Sequence, residues 1–172
     1  VRRHIALNGF MGAGKTTVGK RLANRLGVQF FDLDALIVQE HGPIEVIFER
    51  HGKAAFRNFE LEALSKTVEN AQPGVIALGG GAVTYPPTLE VVKAKTFSIW
   101  LYLSIEDTIK RVRSAKRVRP LLGPNPKNSK IIGLYTGRLS VYRQSDLIVE
   151  AAGKTTSKLV TAIVEHLPKE LL

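Results

Sequence analysis

Gly9-Phe10-Met11-Gly12-Ala13-Gly14-Lys15-Thr16 fits the pattern G-x-x-x-x-G-K-[ST] at every fixed position. The spacing suits one task. The glycines let the backbone fold around phosphate with its N–H groups turned inward. Lys15 supplies a charge for the β- and γ-phosphates, and the Thr16 hydroxyl is a ligand for Mg²⁺. The apolar run His4-Ile5-Ala6-Leu7 precedes the motif and a helical pattern follows from Thr16, so the motif sits between strand and helix as its chemistry requires. The positive end of that helix adds to the anion site. Gly12, Ala13, Gly14, Lys15, Thr16 and Thr17 are therefore expected to bind a nucleoside triphosphate.

Three further groups could complete a reaction. Asp32 and Asp34 stand just past a predicted strand, at the end where parallel α/β sheets build their sites. One could hold Mg²⁺ through water and the other could take a hydroxyl's proton or hydrogen bond; Asp34 also suits a helix N-cap. Arg57 and Glu60 are three apart on one helical face. They read either as a surface ion pair or, given Phe56, Phe59 and Leu61 around them, as an inward guanidinium able to fork onto a carboxylate. Gly79-Gly80-Gly81 follows another apolar run directly, which makes sense where a ligand approaches the backbone closely.

Those residues need a scaffold. Strands are expected at 4–7, 28–31, 75–78, 96–103 and 147–149. Helices are expected at 16–26, 34–41, 44–50, 54–70, 88–94, 105–114, 131–144 and 157–167, with a Pro/Gly/Asn loop at 120–129. The alternation argues for a parallel sheet covered on both faces. The length of 172 residues suits a single domain, and 44% hydrophobic residues suffice for a core. There is no cysteine, which excludes disulfides, thiolate metal sites and cysteine nucleophiles. His4, His41, His51 and His166 lack metal-site spacing and read as surface or strand-edge residues, while Trp100 reads as core. No apolar run reaches membrane-span length and no export leader is visible, so a cytoplasmic location is expected.

The formal net charge is +10, and +8 of it lies between Ser104 and Arg143. That segment holds ten basic residues against Glu106 and Asp107. A basic chain raises the prospect of nucleic acid. Base stacking would fall to Tyr135 and Tyr142, the segment's only aromatics. The phosphate-loop motif favours a small anionic ligand instead.

In order along the chain, GFMGAGKT at 9–16, FDLD at 31–34, IFERHGKAAFRNFE at 47–60, LGGGAV at 78–83, RPLL at 119–122 and RLSVYR at 138–143 resemble the shikimate kinase family. The resemblance runs from Ile5 to about Leu167. It implies ATP-dependent phosphorylation of the 3-hydroxyl of shikimate, in aromatic amino-acid biosynthesis. It implies one kinase domain over 1–172, of the nucleoside-monophosphate-kinase type. That fold has a five-stranded parallel sheet in the order 2-3-1-4-5, flanking helices, a shikimate-binding helical region at about 33–61 and a mobile lid at about 112–125. By motif position, Asp34, Arg57, Gly79, Gly80, Gly81 and Arg138 would bind shikimate, the two arginines at its carboxylate and Asp34 at its hydroxyls. Lys15 and Arg119 would contact the transferring phosphoryl group, making Lys15, Asp34 and Arg119 the catalytic set. Thr16 and Asp32 would serve Mg²⁺. Arg111 would stack on adenine, with Arg113 its competitor, and the loop at 152–155 would close the other side of the base. The implied partners are ATP and shikimate, with no nucleic acid or membrane, and the implied state is a monomer. A kinase of another polyol acid, gluconate above all, shares many of these requirements.

Overall fold

The computed structural model describes residues 4–115 and 121–172. Lys116, Arg117 and Arg119, and with them the middle of the expected lid, lie outside the described residues. β1 (His4–Asn8) is buried at every position and occupies the centre of the sheet. β3 (Gly74–Ala77) and β4 (Thr96–Tyr102) flank it, and β2 (Gln29–Asp32) and β5 (Leu147–Glu150) form the edges. The order is β2-β3-β1-β4-β5, every pairing is parallel, and Leu7 stands opposite Ala77 on one side and Ile99 on the other. This is the architecture that the resemblance implies.

Parallel neighbours need crossover connections, and here these are helices that cover both faces. α1 (Lys15–Leu26) and α7 (Thr156–His166) pack on one face with Ile5, Leu7, Val75, Ile99 and Leu101. α2 (Leu33–His41), α3 (Ile44–Val68), α4 (Pro86–Lys95), α5 (Ile105–Ser114) and α6 (Asn128–Tyr142) gather on the other with Ala6, Ile76 and Trp100. The alternation of side chains along each strand splits the apolar residues between two cores. Each buried Leu or Ile contributes about 1.5–3 kcal/mol. Trp100 belongs to the core, at 4% exposure.

Several boundaries differ from the sequence reading, each for a local reason. The predicted helices at 44–50 and 54–70 are two arms of α3 that meet at Gly52, whose φ of 76° and ψ of 177° interrupt the helix. α4 begins at Pro86, because proline's fixed φ suits a first helical turn. α6 begins at Asn128, inside the predicted loop. The expected N-cap Asp34 lies in the first turn of α2, and Asp32 caps it instead, its side chain accepting from Ala35 N–H at 3.3 Å. His4 is neither at the surface nor at an edge. It is 5% exposed in the central strand, where its Nδ1 accepts the Gly74 N–H at 3.1 Å.

Candidate active site

The phosphate loop leaves β1 at Asn8, whose side-chain oxygen accepts the Gly9 N–H at 2.7 Å. Gly12 and Gly14 have φ of 86° and 94°, a left-handed conformation that glycine adopts without strain. Gly14 is also the N-cap of α1 and carries no capping side chain, so none competes for the first-turn N–H groups. The Lys15 ammonium lies back along the loop and donates to the carbonyls of Gly9 at 2.7 Å and Phe10 at 3.1 Å. Gly12, Gly14, Lys15, Thr16 and Thr17 line an open cavity of about 510 Å³, with Asp32 and Asp34 also in its wall. Ala13 is buried behind the loop at 1% exposure.

Asp32 reaches this cavity from the end of β2. Its Oδ2 accepts the Thr16 hydroxyl at 2.7 Å while its Oδ1 caps α2. A hydroxyl and a carboxylate side by side form a hard-oxygen donor set of the kind Mg²⁺ takes together with water and phosphate. The residues present therefore fit the ion.

The second cavity lies between α3, α6 and the three glycines. Two arginines meet there. Arg57, 6% exposed, pairs with the Glu60 carboxylate one helical turn away. Arg138, 4% exposed, donates to the Gly80 carbonyl at 2.9 Å and lies 5.2 Å above the Phe10 ring. The inward alternative for Arg57 is thus the one that the fold adopts. The glycines are a matter of space. A Cβ on Gly81 would run into the Arg57 guanidinium and lie 3.0 Å from Arg138 Nη2. One on Gly79 would meet the Glu60 carboxylate and approach Asp34 Oδ1 to 3.1 Å.

Glu60 is 1% exposed, and its Oε1 has no hydrogen-bond partner among the described residues. Burial pushes its carboxyl up to about 7; Arg57 works against that rise, and the nearby Asp34 adds to it. Sequence spacing located the Arg57–Glu60 pair without revealing that it is buried. It gave no signal for the Phe10 ring beneath Arg138, nor for Met11, Ile44, Phe48 and Leu121 as pocket walls.

The two cavities share Met11, Asp34 and Gly80 in their walls. Asp34 therefore stands where a group held in the arginine pocket faces a group held on the phosphate loop. The competitors Arg111 and Arg113 take different places. Arg111 lies on the loop, donating to the Gly12 carbonyl at 3.1 Å and to the Ala151 carbonyl at 3.4 Å. Arg113 binds the Asn128 side chain at 2.7 and 3.1 Å. Tyr135 and Tyr142, the candidates for base stacking, are 6% and 0% exposed and present no face to solvent.

A parallel sheet in this order, a phosphate loop after its central strand and a second pocket opening onto that loop define a P-loop kinase with the nucleoside-monophosphate-kinase fold. Comparison with known proteins narrows this further. The sequence model described as shikimate kinase matches residues 11–168, and the chain belongs to that family. The shikimate kinase of Geobacter sulfurreducens is 41% identical over 162 residues, covering 94% of this chain and 88% of that protein. The solved shikimate kinase of Acinetobacter baumannii in complex with shikimate is 35% identical, with a TM-score of 0.88 over 96% of this chain and 92% of that one. A Sinorhizobium meliloti gluconokinase is similar in fold alone, at 18% identity and a TM-score of 0.64, covering 94% of this chain and 90% of that one.

Proposed function

We propose that this chain transfers the γ-phosphoryl group of ATP to the 3-hydroxyl of shikimate, giving shikimate 3-phosphate and ADP. One observation carries the reading at the level of residues: the phosphate-loop cavity and the two-arginine cavity meet at Asp34 and Gly80. The loop amides, Lys15 and Thr16 take the triphosphate. Arg57 and Arg138 take the carboxylate of shikimate, with Gly79, Gly80 and Gly81 leaving room for its ring. Arg111 and the loop at 152–155 take the adenine.

Phosphoryl transfer passes through a loose transition state, so the protein's contribution is positioning and charge compensation. The two arginines anchor the acid end of the acceptor, and Asp34 orients its hydroxyl toward the phosphate loop and accepts the proton as the O–P bond forms. Lys15 leaves its carbonyl partners for the β- and γ-oxygens. Arg119, within the expected lid and just before the Pro/Gly/Asn loop by sequence, adds its charge to the transferring group. Thr16 and Asp32 would hold Mg²⁺, which when bound offsets charge on the phosphates. The reading treats residues 1–172 as a single domain with the lid at about 112–125. It makes the protein a cytoplasmic monomer whose partners are ATP and shikimate rather than nucleic acid or membrane. Among the described residues no helix is long and apolar enough to cross a membrane.

ADP release measured with shikimate and with gluconate side by side tests the proposal. Turnover with shikimate at least 100-fold more efficient is expected. Equal or greater efficiency with gluconate would replace the substrate.

A further inference from the structure

Tyr142 is the largest fully buried side chain among the described residues, and the transfer chemistry leaves it without a task. Its ring lies 5.6 Å from that of Trp100, and its hydroxyl donates to the Gly80 carbonyl. The same carbonyl accepts Arg138 Nη1 at 2.9 Å. Arg138 and Tyr142 are four residues apart on α6 and so share one face of the helix. A carbonyl oxygen has two lone pairs, and here both donors come from that face. The phosphate loop confines Gly80 as well: a Cβ there would stand 3.3 Å from Met11 N, 3.4 Å from Arg138 Nη1 and 3.6 Å from the Gly9 carbonyl. The central glycine is therefore wedged between α6 and the phosphate loop, with Tyr142 as its fixed tether.

We propose that Tyr142 is a positioning residue for acceptor binding, holding the Gly80 carbonyl so that Arg138 is free to give its donors to the acceptor's carboxylate. The inference rests on the reading that Arg138 binds that carboxylate. An arginine that serves an anion must be able to leave its resting partner. With Tyr142 in place, Gly80 keeps a donor when Arg138 turns away. Without the hydroxyl, Arg138 is the only side-chain donor left among the described residues to that half-buried carbonyl, and each acceptor bound must compete with that bond. Burial raises the Tyr142 phenol above its ordinary range, so the group remains a donor throughout the physiological pH range.

Tyr142→Phe removes the hydroxyl and keeps the ring against Trp100. KM for shikimate, and its Kd by calorimetry, are expected to rise about tenfold, while kcat and KM for ATP stay within twofold. Trp100→Phe disturbs the same packing without touching the hydroxyl and is expected to leave KM for shikimate unchanged. Unshifted KM and Kd in Y142F, a parallel loss in kcat and in ATP affinity, or an equal KM rise in W100F would each overturn the proposal. A wild-type protein without shikimate turnover would overturn the reading beneath it; wild-type turnover with an unshifted Y142F would overturn this inference alone.

Discussion

The donor and acceptor halves of the site are built in opposite ways. The donor half centres on one stretch, residues 9–17, whose backbone N–H groups would be its main ligands around an open cavity, with Asp32 and Arg111 added from elsewhere in the chain. The acceptor half takes Asp34 from α2, Arg57 and Glu60 from α3, three glycines after β3, and Arg138 from α6. Its Arg57, Glu60 and Arg138 side chains are almost fully buried, Asp34 is half-buried, and Arg57 and Glu60 pair with each other. A backbone-built site keeps its shape when a side chain is lost, because the turn itself provides the donors. A site built of buried charges does not, because each group is the partner that makes its neighbour's burial tolerable. Substitutions in the donor half should therefore change chemistry alone, while those in the acceptor half should move binding and stability together.

The sharpest separation is expected from Lys15→Ala. Removing the charge from the transferring phosphate should lower kcat about 10³-fold, with KM for shikimate within threefold and an unchanged melting temperature. A large loss of stability would break the contrast.

Glu60→Gln tests the acceptor half through pH. The folded-state carboxyl titrates at about 7, above its ordinary value of 4.5. The folded protein thus holds this proton more tightly than the unfolded chain does. The associated stability is fully present below pH 4.5 and is lost as pH rises through 7, by at most roughly 3 kcal/mol. His4 works in the other direction: burial lowers its pKa, so its contribution is fully present above 6.5 and is lost as pH falls below that through the lowered folded-state value. Urea unfolding of wild type and E60Q at pH 5 and pH 8 isolates Glu60, since His4 is common to both. Wild type should lose more stability than E60Q between the two values, and parallel curves would remove Glu60 as a titrating group.

The smallest of these three effects is expected from Gly81→Ala. The added methyl must displace the guanidinium of Arg57 and crowd Arg138. A displacement of that size is expected to raise KM for shikimate about 30-fold, with KM for ATP within twofold. Steady-state kinetics in both substrates decides it, and an unchanged KM for shikimate would mean that the arginines do not set acceptor affinity.

The legibility of the sequence follows the same division. The phosphate loop could be read directly because its function depends on backbone geometry, and glycine at fixed spacing is the local cause of that geometry. The strand order could be anticipated only through the family resemblance, since strand alternation alone leaves the order open. Asp32 and Asp34 were visible as a pair. Their division of labour was not, because the chain stops being extended at Leu33, where α2 begins. Arg57 looked equally like a surface residue until α3 and the glycine turn enclosed it.

The excess positive charge shows the limit on the other side. Arg111 and Arg138 are drawn into the two halves of the site, while Lys110, Arg113, Lys127 and Lys130 remain exposed. Composition could not sort them, because burial is a property of position in the fold and not of residue type.

By itself the sequence determined the phosphate loop, the alternating strands and helices, and the family, since each rests on local spacing or on ordered motifs. Only the tertiary structure decided that Glu60 is a buried acid beside Asp34, that Tyr142 and Arg138 share the Gly80 carbonyl, and that the two cavities meet there. Those relations join residues up to about a hundred positions apart in the chain, and no local pattern carries information about a contact made by packing.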